Sequence, residues 1–141
     1  MDQLSIEIRQ CRIEDIGEVL ALWVRADAVP RPTDHPSALA KRLERDPELF
    51  LIATDGSKVV GTLMGGWDGW RGNMYRLAID PQYRRLGLAR RLVEEVETCL
   101  RRLGAERITS LEFKDENAVA FWESVGYAQD NAVVRYAKDL A

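Results

Sequence analysis

Four arginines, Arg84, Arg85, Arg90 and Arg91, surround a glycine, Gly87, and a small residue, Ala89. The residues just before them, 74–79, are apolar-rich and read as a buried strand, which Asp80-Pro81 breaks. From Leu88 onward, Leu88, Leu92, Val93, Val96, Leu100 and Leu103 share one face of a long helix. The first turn of a helix has unpaired backbone N–H groups and the positive end of the helix dipole. Gly87 and Ala89 take away bulk where a ligand would meet that backbone. A phosphate or pyrophosphate suits such a strand–loop–helix junction. The alternative is a plain turn in which Gly87 only permits tight packing.

The rest of the chain must position that junction. Residues 4–10 alternate apolar and polar and predict a first strand. Ile13, Ile16, Val19, Leu20, Trp23 and Val24 mark one face of a first helix. A loop over 26–36 holds three prolines and the only histidine, His35, which reads as a surface loop residue. Ser37 is placed to cap a second helix whose Leu39, Ala40 and Leu43 face inward, and Asp46-Pro47 ends it. Strands follow at 49–54, 59–67 and 73–79. The first two are joined at Asp55-Gly56, a hairpin signal, and the next two at residues 68–72. After the long helix come a fifth strand at 107–113, a short helix at 118–125 stopped by Gly126, and a last strand at 133–137. This order predicts a mixed α/β layered sheet with a right-handed crossover from the fourth strand through the third helix to the fifth.

With 141 residues, 46% of them hydrophobic and 30% charged, the sequence fits one globular domain, 1–141. The net charge of −3 argues against nucleic acid or an acidic membrane as partner, yet 16 Arg stand against 4 Lys. Local basic charge on an acidic chain fits a small polyanion better than a duplex. Cys11 and Cys99 are too few for a disulfide framework or a zinc site, and no metal is expected. Met1-Asp2-Gln3-Leu4-Ser5 carries no signal-peptide pattern, and no apolar run approaches a membrane span, so a cytoplasmic protein, monomer or homodimer, is expected.

Arg84-x-x-Gly87-x-Ala89 resembles the (Gln/Arg)-x-x-Gly-x-(Gly/Ala) signature of the GCN5-related N-acetyltransferases, the GNAT superfamily. The element order is that family's along nearly the whole chain. A second segment, Ala118-Val119-Ala120-Phe121-Trp122-Glu123-Ser124-Val125-Gly126-Tyr127, looks like the family's Asn-x-x-Ala-x-x-Leu-Tyr-x-x-x-Gly-Phe. It departs in two places. Trp122 stands where a tyrosine is usual, and Asp115 stands at the asparagine position, with Asn117 two residues on. The resemblance implies a mostly antiparallel central sheet flanked by helices and splayed between strands four and five.

It also implies acetyl transfer from acetyl-CoA to a primary amine of a small molecule or peptide. Backbone N–H groups of Arg85, Leu86, Gly87, Leu88, Ala89 and Arg90 would take the pyrophosphate, with Arg84 or Arg90 adding charge-assisted bonds. Leu77, Ala78 and Ile79 would offer a strand edge to the pantetheine arm, and one N–H there would polarise the thioester carbonyl. A base must free the amine of its proton. Ser110 falls at the family's strand-five position, and Glu112, two residues on, is the favoured carboxylate; a solvated strand-end charge is the competing reading. Tyr75 could line the site on the face of Leu77 and Ile79, or sit in the core. Tyr127 or Tyr136 could replace the acid lost at Trp122, which would otherwise pack on pantetheine.

Acceptor binding would fall to the loop between the first two helices and to the hairpin at 68–72. Trp67 and Trp70 flank Asp68 and could hold an ammonium by charge and cation–π contact, while Arg31 or Arg71 could hold a carboxylate. No Cys or Ser sits in a nucleophile motif, so direct transfer is expected. Two other readings stay open: a module that binds acetyl-CoA with little or no turnover, and an RNA-contacting protein using Arg84, Arg85, Arg90, Arg91, Arg101 and Arg102.

Overall fold

In the computed structural model, which describes residues 5–111 and 116–140, the apolar and alternating segments become five strands in chain order. They are β1 (Ile6–Gln10), β2 (Phe50–Asp55), β3 (Lys58–Trp67), β4 (Gly72–Ile79) and β5 (Ile108–Ser110). The first three pairings are antiparallel, and β4 runs parallel to β5. Four helices accompany them: α1 (Ile16–Arg25), α2 (Pro36–Arg45), α3 (Leu88–Leu103) and α4 (Glu116–Ser124). The chain falls into two compact units, Met1–Ser110 and Leu111–Ala141. No helix among the described residues is long and apolar enough to cross a membrane.

Side-chain alternation divides the sheet of the first unit between two cores. On one face Ile16, Val19, Leu22 and Trp23 of α1 and Leu39 and Leu43 of α2 pack with Phe50, Ile52, Met64 and Ala78. Fully burying each of the larger apolar side chains contributes about 1.5–3 kcal/mol. On the other face α3 lies close to the strands. A Cβ on Gly65 would stand 2.8 Å from Val96, and one on Gly72 would stand 3.0 Å from Leu100. Hydrogen in place of Cβ is what lets successive turns of α3 settle onto β3 and β4. The α3 C-terminus closes with Gly104 at φ +107, its N–H donating to the Arg101 carbonyl and that of Ala105 to the Leu100 carbonyl.

Several predicted features differ. Ile13 lies in a short 3-10 turn, Ile13–Asp15, and is exposed, as is Val24, while Leu22 joins the core face in their place. Ser37 is not the cap of α2. Pro36 occupies its first turn and His35 is the N-cap, with Nδ1 accepting the Ala38 N–H at 3.3 Å. A Pro fits that first position because its missing N–H would be unpaired there anyway. Residues 133–137 form no strand, and Val133, Val134 and Tyr136 are 66%, 77% and 91% exposed. Alternation gives a segment two faces, but a strand exists only where a neighbour takes its N–H and C=O groups. β5 ends at Ser110, and residues 112 and 113 of its predicted span lie outside the described residues.

Candidate active site

The loop between β4 and α3 is anchored from below by a buried carboxylate. Asp80 is 3% exposed, and its Oδ1 caps the turn Pro81–Tyr83 by accepting the Gln82 N–H at 2.9 Å. Its Oδ2 pairs with Arg25 Nε at 3.1 Å and Lys58 Nζ at 3.5 Å. Burial pushes the Asp80 carboxyl up, but the Gln82 N–H, Arg25 and Lys58 more than offset that and hold it below the usual carboxylate range. Tyr83, also buried, donates its hydroxyl to Asp55 at 2.6 Å, which raises its pKa. The floor of the loop is therefore fixed to α1, β2 and β3.

Above that floor the backbone turns into the helix through two left-handed residues, Arg85 at φ +65 and Gly87 at φ +77. Gly87 is the N-cap of α3 and so offers no capping side chain, and no acidic residue lies in the first turn. The first intrahelical bond runs from the Arg91 N–H to the Gly87 carbonyl at 3.1 Å. The amides of Leu88, Ala89 and Arg90 precede it and point out of the helix end. Arg84, Arg85 and Arg90 are exposed around them. This is a positive, side-chain-poor helix terminus, and it fits a pyrophosphate.

The strand that leads to this terminus, β4, changes register before it ends. Among the described residues β5 pairs with β4 at Gly72, Asn73 and Met74, and β4 continues to Ile79. Within the continuation the β3–β4 register slips: Met64 opposes Tyr75, yet Thr62 opposes Ala78. Two steps along β3 match three along β4, so β4 carries a bulge at Arg76 and Leu77. Arg76 adopts φ +59, a region that costs a non-glycine residue about 1–2 kcal/mol. Its carbonyl accepts the Thr62 hydroxyl at 2.9 Å, and that hydroxyl in turn accepts the Trp23 indole N–H at 2.8 Å. Arg76 Nε donates to Asp34 Oδ1 at 3.1 Å, Nη2 donates to Oδ2, and the guanidinium lies 5.0 Å from the Trp23 ring centre.

The bulge corrects the placing of Tyr75. An extra residue reverses the alternation, so Tyr75 shares the α1–α2 face with its partner Met64 and with Ala78, while Ile79 faces α3 beside Leu92 and Gly61. Tyr75 is 39% exposed and is not a core residue. Trp67 pairs with Gly72 on the α3 face, opposite to Tyr75, so the structure does not bring these two aromatics together. Asp68 builds its own loop: one carboxylate oxygen accepts the Trp70 and Arg71 N–H groups at 2.8 and 2.7 Å, which lowers its pKa. Arg71 stacks 4.0 Å over the exposed Trp70 ring. Arg31 lies in the α1–α2 loop, where its main-chain N–H donates to Asp34 at 2.9 Å.

In the second unit Asn117 is exposed on the first turn of α4. Trp122 is buried, with Phe121 and Tyr127 set edge-on to it at 5.3 and 5.0 Å. Gly126 at φ +96 closes α4, and the Tyr127 N–H reaches the Trp122 carbonyl at 2.9 Å. Glu112 and Asp115 lie outside the described residues. Both cysteines are free, and burial pushes the Cys11 thiol up to about 12. Among the described residues no cluster of His, Cys, Asp and Glu could hold a metal. Arg76 escaped sequence reading because an arginine at a strand bulge has no local signature. Trp23 was legible only as a member of the first helix's apolar face.

A family model described as the acetyltransferase (GNAT) family matches residues 16–127. The chain belongs to that family and is an acyltransferase of the GNAT type. It is similar to an acetyltransferase of Sodalis glossinidius, 37% identical over 137 residues that cover 96% of each chain. Two solved structures share its fold. Ard1 from Thermoplasma volcanium aligns with a TM-score of 0.78 at 18% identity, covering 88% of this chain and 83% of its own. The paia N-acetyltransferase of Thermoplasma acidophilum, solved in complex with coenzyme A, aligns at 0.77 and 18%, covering 90% and 92%.

Proposed function

We propose that the chain moves the acetyl group of acetyl-CoA directly to a primary amine of a small molecule or peptide, within one N-acetyltransferase domain spanning 1–141. The observation that carries this reading is the side-chain-poor N-terminus of α3, entered through the left-handed Arg85 and Gly87 with exposed arginines around it. Amides from Arg85 to Arg90 hold the pyrophosphate, and Arg84 and Arg90 add charge. The main chain of Leu77, Ala78 and Ile79 pairs with the pantetheine amides, and the Leu77 N–H at the bulge is the donor to the thioester carbonyl. Acetyl-CoA supplies the activated acetyl group. Glu112 serves as the base toward the amine, directly or through water, and Tyr127 as the proton source for the thiol. Asn117 or Asp115 and Trp122 flank the cofactor. Arg31, Trp67, Asp68 and Trp70 belong to the segments that meet the acceptor.

Direct transfer is supported by the thiols. Cys11 is buried and stays protonated near neutrality, and burial also raises the Cys99 pKa, so neither offers a thiolate nucleophile. The test is release of free CoA across a panel of amino acids, polyamines and peptides with free N-termini, with mass spectrometry of each acceptor. The expected result is one acetyl group added to an amine, with intersecting initial-rate lines. Binding of acetyl-CoA without CoA release from any amine would make the chain a binding module instead.

A further inference from the structure

We propose that Arg76 is a positioning residue: its side chain, clamped by Asp34 and Trp23, holds the β4 bulge that aims a main-chain N–H at the thioester. The inference rests on the main-chain donor proposed above. Two restraints and one strained torsion meet at this one residue. Its carbonyl is fixed by the Trp23–Thr62 relay, which is buried and leaves neither group unsatisfied. Its guanidinium makes a two-pronged pair with Asp34, and the two side chains are only 14% and 17% exposed. Its φ of +59 is one that a non-glycine residue keeps only when its surroundings impose it. A glycine would fill that position without strain, so the arginine is present for its side chain.

The clamp also ties the bulge to the loop between α1 and α2. Asp34 takes the Arg31 N–H as well as the guanidinium, and it directly precedes His35, the cap of α2. A movement of that loop therefore reaches the bulge through one carboxylate. The loop that lies on the proposed acceptor side is thereby coupled to the group that polarises the acetyl donor.

Isotope-edited infrared spectroscopy tests this, using the full chain and acetyl-CoA labelled with carbon-13 at the thioester carbonyl. The variants are Asp34→Asn, Arg76→Lys and Arg76→Gly, each checked for folding by circular dichroism. The wild type is expected to shift the bound carbonyl stretch to lower wavenumber. Asp34→Asn and Arg76→Gly are expected to lose most of that shift while the acetyl-CoA Kd stays within about threefold, since the pyrophosphate site is untouched. Arg76→Lys keeps the charge but not the fork and is expected to fall between them. Folded Asp34→Asn and Arg76→Gly proteins that keep the full shift overturn the clamp alone. A wild type that binds without any shift overturns the main-chain donor and the clamp with it, and a wild type that does not bind overturns the proposed function.

Discussion

Gly87 combines a conformational role with a steric one, and two substitutions separate them. It caps α3 at φ +77, where a side chain costs about 1–2 kcal/mol. Gly87→Ala is therefore expected to lower Tm by about 2–6 °C. Gly87→Glu carries the same backbone cost, but its carboxylate meets the positive end of the helix dipole and recovers about 0.3–1 kcal/mol. The two variants should thus be nearly equal in stability. Toward a pyrophosphate they differ. A carboxylate about 5 Å from roughly two negative charges repels them by about 2 kcal/mol at an effective dielectric constant of about 60. That corresponds to binding weaker by about 30-fold in Gly87→Glu than in Gly87→Ala. Calorimetric titration of acetyl-CoA into both at low salt reads this difference directly. Repetition at about 1 M salt, where screening acts over roughly 3 Å, should shrink the gap severalfold. A folded Gly87→Glu protein that binds as tightly as Gly87→Ala at low salt would show that no anion lies at this helix end.

Asp80 makes stability depend on acid. Its carboxyl is held below the usual range in the folded protein, so its contribution is complete above the unfolded pKa of about 3.9 and is lost as pH falls through the folded value. Denaturant melts of wild type and Asp80→Asn should differ by about 1–3 kcal/mol at pH 7 and converge below about pH 4; a gap that stays constant down to pH 3 counts against the network with Arg25 and Lys58. Gly65→Ala would bring a Cβ to 2.8 Å from Val96 and 3.1 Å from Leu49, and this overpacking should cost about 1–3 kcal/mol. An unchanged Tm would mean that α3 does not press on β3 as described.

The core of the fold was legible because its signals are local. The spacing of Leu88, Leu92, Val96 and Leu100 can serve only one helix face, and Asp80-Pro81 and Gly87 mark where strand and helix must stop and start. Where the outcome depended on a partner, the sequence misled. Val133 to Ala137 has the alternation of a strand, but alternation does not supply a neighbour. His35 took the cap of α2 from Ser37 because Pro36 starts that helix one residue after it, and imidazole caps are too rare to be read from composition. Asp68 looks like a ligand for an amine in the sequence, yet in the fold its nearest donors are the N–H groups of its own turn.

The bulge in β4 separates Tyr75 from Ile79, which the sequence reading set on one face. An extra residue bends and twists the strand that carries it, and it shifts every later side chain of β4 by one position relative to β3. The sequence of 74–79 hides this, because a bulge cannot be seen until the partner register is known. What the sequence does contain is Arg76, a charged residue inside an apolar strand. Its long side chain reaches Asp34 from a left-handed backbone position, so the residue that looks least suited to the strand is the one tied to its bulge.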